Sequence, residues 1–319
     1  MLREILVSLS KNSRLKNLVM HWKPARKASR RFIAGESLEQ AVGVVKELNQ
    51  KGINATLDQL GEYTIDPDGA RQSTDDVIKI VDAITANALR ANVSLKLSQI
   101  GLNLDEHLCA ENLQRILTHA SQVGVFIRID MEGSDLTEKT FNLYRRMIEN
   151  GFSMVGIVLQ SYLYRTRKDV EELLHWGGRV RLCKGAYIEP VEIAFQKKTE
   201  VDANYDLVVG DLLAAASKPG APRLSSDGRI PPIPALATHD NNRILNAKSL
   251  IEKMGLPKEA VEFQILHGIR RDLQAELAAE GYPVRVYVPF GTQWYPYFMR
   301  RLAERPANLW FFLSNFFRK

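Results

Sequence analysis

Short apolar, β-branched runs alternate with amphipathic stretches along most of the chain. Eight such runs stand out: "NATLDQLGE" (54–62), "NVSLKLSQIG" (92–101), "VFIRIDME" (125–132), "FSMVGIVLQSY" (152–162), "RVRLCKGAY" (179–187), "PALATHD" (234–240), "VEFQILHG" (261–268) and "VRVYVPFG" (284–291). Their period and composition predict strands. Between and after them, residues 73–90, 106–123, 136–150, 167–176, about 192–216, 242–254, 270–280 and 292–304 show helical spacing. Ser73 and Thr74 are read as opening one of these helices, and Gly255 with Pro257 as closing another. Strand then helix, eight times over, predicts a parallel (β/α)₈, TIM-like barrel.

The one linker-like stretch, "SKPGAPRLSSDGRIPPIP" (217–234), falls inside this rhythm. A division there would leave five and three units, neither able to close a barrel, so it is read as a long surface insertion. A basic N-terminal helical region (1–35) is expected to precede a single barrel domain (36–319).

Composition adds charge to this outline. The chain has 319 residues, is 45% hydrophobic and carries a net charge of +6. Residues 11–31 hold Lys11, Arg14, Lys16, Lys23, Arg26, Lys27, Arg30 and Arg31 without one acid. That clustering suggests a patch for an anionic surface, lipid headgroups or nucleic acid. No aromatic–basic interleaving or nucleic-acid motif supports the latter. Cys109 and Cys183 fit neither a disulfide framework nor a metal spacing, so a reducing, cytoplasmic compartment is expected. The N-terminus resembles no secretory signal, and no apolar run reaches the roughly 18 residues of a membrane span. The apolar "NLWFFLSNFF" near the C-terminus is expected to pack on the body of the protein.

In a barrel of this kind chemistry collects at the C-terminal strand ends. Polar residues stand there on almost every predicted strand: Lys96, Asp130, Gln160, Arg181, then Lys184, Gly185, Ala186 and Tyr187, then Thr238, His239 and Asp240, then Gln264, His267 and Tyr287. Strand alternation puts Lys96 on one face with Ser94 and Ser98, and a lysine pointing into a barrel needs a partner or a ligand anion. Arg128 and Asp130 share a face and are expected to pair. His267 reads more readily as a packed histidine than as a ligand.

The predicted last helix carries "YFMRRLAERPAN" (297–308). Arg300 and Glu304 share a face at i,i+4, while Arg301 points elsewhere, so one ion pair cannot occupy both arginines. Folded over the mouth, these arginines would complete a cationic site with Lys96, Arg181, Lys184 and His239. A carboxylate matches paired arginines, and a pyrophosphate would suit Arg181, Lys184 and the small residues Gly185 and Ala186. No GxGxxG follows a strand and no P-loop motif is present.

Taken together, "RLCKGAY", "FQILHG", "RVYVPFG" and above all "YFMRRLAERPAN" resemble the monofunctional bacterial proline dehydrogenases, from about "LDQLGE" to "RRLAERPAN". The resemblance implies a distorted barrel holding FAD at the strand ends, with the eighth helix over the flavin. It implies oxidation of L-proline to Δ1-pyrroline-5-carboxylate by hydride transfer to flavin N5, the first step of proline catabolism. No metal is required. Arg300 and Arg301 would grip the proline carboxylate beside Lys96, and Asp130, Tyr187, Leu266, Tyr287 and Glu304 would complete the pocket. Gln160, Arg181, Lys184, Gly185, Ala186, Thr238, His239 and Gln264 would contact FAD. The family often has His-Asn where this chain has His239 and Asp240. A quinone would receive the electrons, which implies a peripheral position on the inner face of the cytoplasmic membrane, with residues 11–31 and "WFFLSNFF" as contact candidates. Two rivals remain at this level. A metal-dependent (β/α)₈ hydrolase could use Asp130, His239, Asp240 and His267, and another flavin barrel reductase would share the fold.

Overall fold

The computed structural model describes residues 19–20, 25–26, 29–61 and 64–304, the last two by their backbone alone. Eight strands, β1 (Asn54–Gln59), β2 (Ala91–Leu95), β3 (Ile127–Ile129), β4 (Val155–Gln160), β5 (Arg179–Cys183), β6 (Pro234–Ala237), β7 (Glu262–Leu266) and β8 (Val284–Phe290), form a closed barrel in chain order. Every neighbouring pair is parallel, and the closure is long, running from Asn54 beside Arg285 to Gln59 beside Phe290. Around it lie α1 (Leu38–Gln50), α2 (Pro67–Ala86), α3 (Glu106–Gln122), α4 (Ser134–Glu149), α5 (Thr166–His175), α6 (Lys198–Ala216), α7 (Asn241–Lys253), α8 (Arg271–Ala279) and α9 (Tyr295–Glu304).

Alternation along the strands divides the interior into two environments. Ala55, Leu57, Val93, Leu95, Ile127, Ile129, Ile157, Val180, Leu182, Ile265 and Val286 are fully buried and meet the helices in one continuous apolar core. Their neighbours point inward and are polar: Thr56, Asp58, Asn92, Ser94, Arg128, Arg181, Glu262, Gln264 and Arg285 are all buried. A barrel centre of this kind usually holds branched aliphatics. Here most of the polar groups are tolerated because they bond one another or main-chain carbonyls, as Thr56 Oγ1 does to Asn92 Oδ1 at 2.6 Å and Arg285 Nε to Glu262 Oε1 at 2.8 Å.

Several expected boundaries shift. The first helix after β1 opens at Pro67 rather than at Ser73, because Asp66 accepts from Gly69 N–H and Pro67 is pre-set for the first turn. The second strand ends at Leu95, and the chain turns through a 3₁₀ segment, Leu97–Ile100, that Gly101 closes at φ 112°. The fifth strand ends at Cys183, and the helix expected from about residue 192 begins only at Lys198.

An additional helix lies outside the expected rhythm. α1 starts with a capping box, Ser37 with Gln40, and buries Ala41, Val42 and Val45. It packs against β1 and β8, the seam where the helix after the last strand would ordinarily lie. α9 is therefore free to lie elsewhere. Its Tyr295, Phe298 and Leu302, with Trp294 just before it, bury against Phe32, Ile33, Leu60 and Ile269, and Leu266 packs on the same cluster. Leu60 and Leu266 are at the C-terminal ends of β1 and β7, so α9 sits at the mouth.

Residues 217–234 are an insertion, as expected, but not merely a surface one. The main-chain carbonyls of Ser226, Gly228, Arg229 and Pro231 accept from Arg90, Arg285, Asn92 and Arg179 at 2.5–3.2 Å. All four donors stand at N-terminal strand ends, so the insertion seals the barrel opposite the mouth. Gly228 has φ +70°, and a Cβ there would lie 2.3 Å from Asn54 Oδ1. Gly228→Ala is expected to cost about 2 kcal/mol or more of unfolding stability, combining left-handed strain with a steric clash. Urea denaturation checks this, and an unchanged midpoint would show that the seal yields freely.

Candidate active site

Asp130 follows β3 directly and is the hub of the mouth. Its Oδ1 accepts from Arg181 Nη1 at 2.7 Å and Ser94 Oγ at 3.1 Å, and its Oδ2 from the Tyr287 hydroxyl at 2.7 Å. Lys96 Nζ stands 3.6 Å from Oδ2. Arg181 also donates from Nε to Gln264 Oε1 at 2.5 Å and lies over the Tyr287 ring at 5.3 Å. Five residues singled out in the sequence, from β2, β3, β5, β7 and β8, are thus brought into one bonded group. Burial and the Asp130 carboxylate keep the Tyr287 phenol protonated far above its ordinary range.

Sequence reasoning missed the residue that completes this group. Asp58, 1% exposed on β1, accepts from Lys96 Nζ at 3.1 Å. Burial alone would lower the Lys96 ammonium, but Asp58 and Asp130 more than offset it and hold it charged. The signal was present: Asp58 shares an inward face with Thr56, in a strand whose other face is apolar. Glu132 was also missed. It accepts from Ser98 N–H at 3.1 Å and from Ser98 Oγ at 2.6 Å, and so anchors the turn after Lys96.

Two expectations are corrected. Arg128 does not pair with Asp130. It donates to the carbonyls of Ile157 and Arg179 and lies 4.9 Å from the Phe126 ring. Two residues along a strand span about 6.6 Å, which places Arg128 one layer deeper, and closer donors already fill the Asp130 oxygens. Nor is the mouth simply cationic, because Lys96, Arg181 and Lys184 each hold a carboxylate. Three uncompensated cations so close together would repel one another strongly.

A second cluster lies across the mouth. Lys184 Nζ meets Asp202 at 2.5 Å and Asp240 at 2.7 Å, and Lys198 reaches the same two acids. Burial would raise the Asp240 carboxyl, but bonds from Lys184 and Lys198 hold it well below the ordinary range. Asp240 also caps α7 by accepting from Asn242 N–H at 3.1 Å, a task an asparagine would share. The added charge at this position thus balances lysines. Thr238 Oγ1 accepts from Asp240 N–H at 3.2 Å. His239 Nε2 accepts from Leu266 N–H at 3.1 Å, which leaves the other ring nitrogen as the donor of a neutral imidazole. Gln160 donates to the Glu132 carbonyl at 3.3 Å, while its Oε1 is buried without a partner among the described residues. Gly185 has φ +113°, Ala186 is exposed and Tyr187 half-buried. His267 is packed: burial, with Arg271 nearby, pushes it down to about 4.

On α9, Arg300 is half-buried and Arg301 is 9% exposed, with its guanidinium 5.0 Å from the Tyr297 ring. The Glu304 side chain, the apolar tail and most of residues 11–31 lie outside the described residues. No group of three metal-type side chains converges among the described residues, and no described helix is long and apolar enough to cross a membrane.

A closed parallel barrel whose mouth gathers a lysine, an arginine, carboxylates and a tyrosine under an arginine-bearing helix defines a (β/α)₈ enzyme. The family model "Proline dehydrogenase" matches residues 41–313. "Proline dehydrogenase 1" of Bacillus subtilis is 39% identical over 319 residues, covering 100% of both chains. "Proline dehydrogenase" of Deinococcus radiodurans is 41% identical over 289 residues, 89% of this chain and 88% of its own. Among solved structures, proline utilization A (PutA) from Bdellovibrio bacteriovorus, inactivated by N-propargylglycine, superposes with a TM-score of 0.80 at 26% identity. That match covers 95% of this chain but 36% of the larger one. The chain belongs to the proline dehydrogenase family and is an oxidoreductase.

Proposed function

We propose that the enzyme oxidises L-proline to Δ1-pyrroline-5-carboxylate with FAD held at the barrel mouth, and that a quinone receives the electrons. The observation that carries this reading is the bonded group of Lys96, Asp58, Asp130, Arg181, Gln264 and Tyr287 at the mouth that α9 covers. Proline is a small carboxylate with a saturated ring, so it needs a cationic grip, an apolar wall and exclusion of water. Arg300 and Arg301 supply the grip, with Lys96 beside them held charged by Asp58. Tyr187, Tyr287 and Leu266 wall the ring, Asp130 keeps Lys96 and Tyr287 in place, and Glu304 follows Arg300 by one helical turn. The proline nitrogen must lose its ammonium proton before the adjacent carbon is oxidised.

The residues present fit a flavin. Gln160 Oε1 is a buried acceptor without a partner among the described residues, and His239, Arg181, Thr238 and Gln264 line the same rim. Lys184, Gly185 and Ala186 form the adjoining edge. When bound, the flavin supplies the two-electron acceptor that no side chain can provide. The peripheral membrane contact rests on residues 11–31 and the apolar tail and has no support among the described residues.

The purified protein is expected to be yellow, to bleach on anaerobic addition of L-proline and to regain colour with a soluble quinone. A colourless protein, or a yellow one indifferent to proline, would overturn this reading. The metal-hydrolase alternative finds no favouring observation, since Asp130 and His239 have their nearest partners elsewhere.

A further inference from the structure

Glu189 lies in the long segment between β5 and α6, and its carboxylate gathers donors from two other parts of the chain. Ser134 N–H donates to it at 2.9 Å, the Ser134 hydroxyl donates to the other oxygen, and the Tyr162 hydroxyl donates at 3.3 Å. Ser134 is the first residue of α4, and the N-cap position before it is Gly133, which has no side chain to accept a bond. Glu189 therefore caps that helix from 55 residues away, where both the free N–H and the helix dipole favour a negative charge.

The same tyrosine holds the start of this segment. Gly185 lies directly on the Tyr162 ring, since a Cβ there would come within 2.4 Å of it, and Tyr162 N–H donates to the Lys184 carbonyl at 2.9 Å. Residues 185–189 are thus pinned at one end by the face of Tyr162 and at the other by its hydroxyl together with the start of α4. Ala186 and Tyr187 are in between. The segment leaves the C-terminal end of β5, the strand that brings Arg181 to Asp130, so the pinned residues border the mouth.

We propose that Glu189 is a positioning residue for proline: by clamping residues 185–189 to Tyr162 and α4, it sets where Tyr187 stands in the pocket. The inference rests on the reading that proline binds against Tyr187. Loss of the clamp should show in substrate affinity before it shows in the chemical step, because Glu189 touches no reacting group. Glu189→Ala is expected to raise the proline KM roughly tenfold, with kcat changed far less. Glu189→Gln, which keeps an oxygen for the Ser134 N–H, should recover most of that loss.

The decisive measurement is a double-mutant cycle with Tyr187→Ala in the full-length flavoprotein. Glu189→Ala should add little to KM once Tyr187 is gone. An equal rise in both backgrounds, or a lower melting temperature with KM unchanged, overturns the clamp. Should Glu189→Ala fail to fold, Tyr162→Phe removes one bond only and should raise KM in the same Tyr187-dependent way. Absence of proline bleaching in the unaltered protein sinks the proline reading and the clamp together. Bleaching with an unmoved KM in the variants sinks the clamp alone.

Discussion

Replacing Arg301 by methionine is expected to raise the KM for proline by roughly two to three orders of magnitude while leaving the flavin bound. Arg301 is 9% exposed on α9, and the Tyr297 ring, 5.0 Å from its guanidinium, helps orient the plane of the fork. A planar fork matches a carboxylate with two parallel bonds, each charge-assisted. Such bonds contribute about 1.5–3 kcal/mol apiece, and the lower part of that range, about 3–4 kcal/mol for the pair, corresponds to roughly two to three orders of magnitude in affinity. Methionine keeps the length and the apolar stem and so isolates the charge. Lysine should rescue poorly, because a point charge cannot reproduce the fork. Steady-state kinetics with a flavin absorbance ratio settles both halves. An unchanged KM removes Arg301 from the carboxylate site, and loss of flavin would make it a cofactor residue instead.

Arg285→Met is expected to lower unfolding stability by about 3–5 kcal/mol, the cost of leaving a buried charge without its partner. Arg285 and Glu262 are 1% and 0% exposed and paired at 2.8 Å in the barrel centre. The guanidinium also donates to the carbonyls of Ala55 at 2.6 Å and Gly228 at 2.7 Å, tying β8 to β1 and to the insertion that seals the barrel. After the substitution Glu262 keeps only the Gln264 amide, at 2.6 Å, and the Ala55 and Gly228 carbonyls each lose a charged donor. The double substitution Glu262→Leu with Arg285→Met should recover much of the loss, because a matched apolar pair restores packing without stranded charge. Urea unfolding measures each change. A near-neutral single variant would mean that water reaches the centre of the barrel and screens the charge.

The strand-and-helix rhythm was legible because outward strand positions must be apolar to meet helices, whatever the inward positions do. The eight strands and the closed parallel barrel follow from that requirement alone. Most site candidates were legible too, since Lys96, Asp130, Arg181, Gln264 and Tyr287 interrupt strands where inert positions would be aliphatic. The doubled arginine of α9 could be seen only as an excess of charge over local partners.

What the linear sequence could not supply was partnership across the barrel. Arg128 and Asp130 are near in sequence yet occupy different layers, while Asp130 and Tyr287 are 157 residues apart and bonded. Alternation could mark Asp58 as inward but not name its partner, and Glu189 gave little sign of its role, because a single acid in a strand or loop gains meaning from what faces it. The position of α9 was likewise a tertiary outcome: α1 fills the seam between β8 and β1, and the apolar face of the last helix buries against the strand ends instead. Periodicity, being local, determined which residues form strands and which point inward. Closure of the barrel decided which of those inward groups neutralise one another, because only in three dimensions do charges from separate strands come within bonding distance.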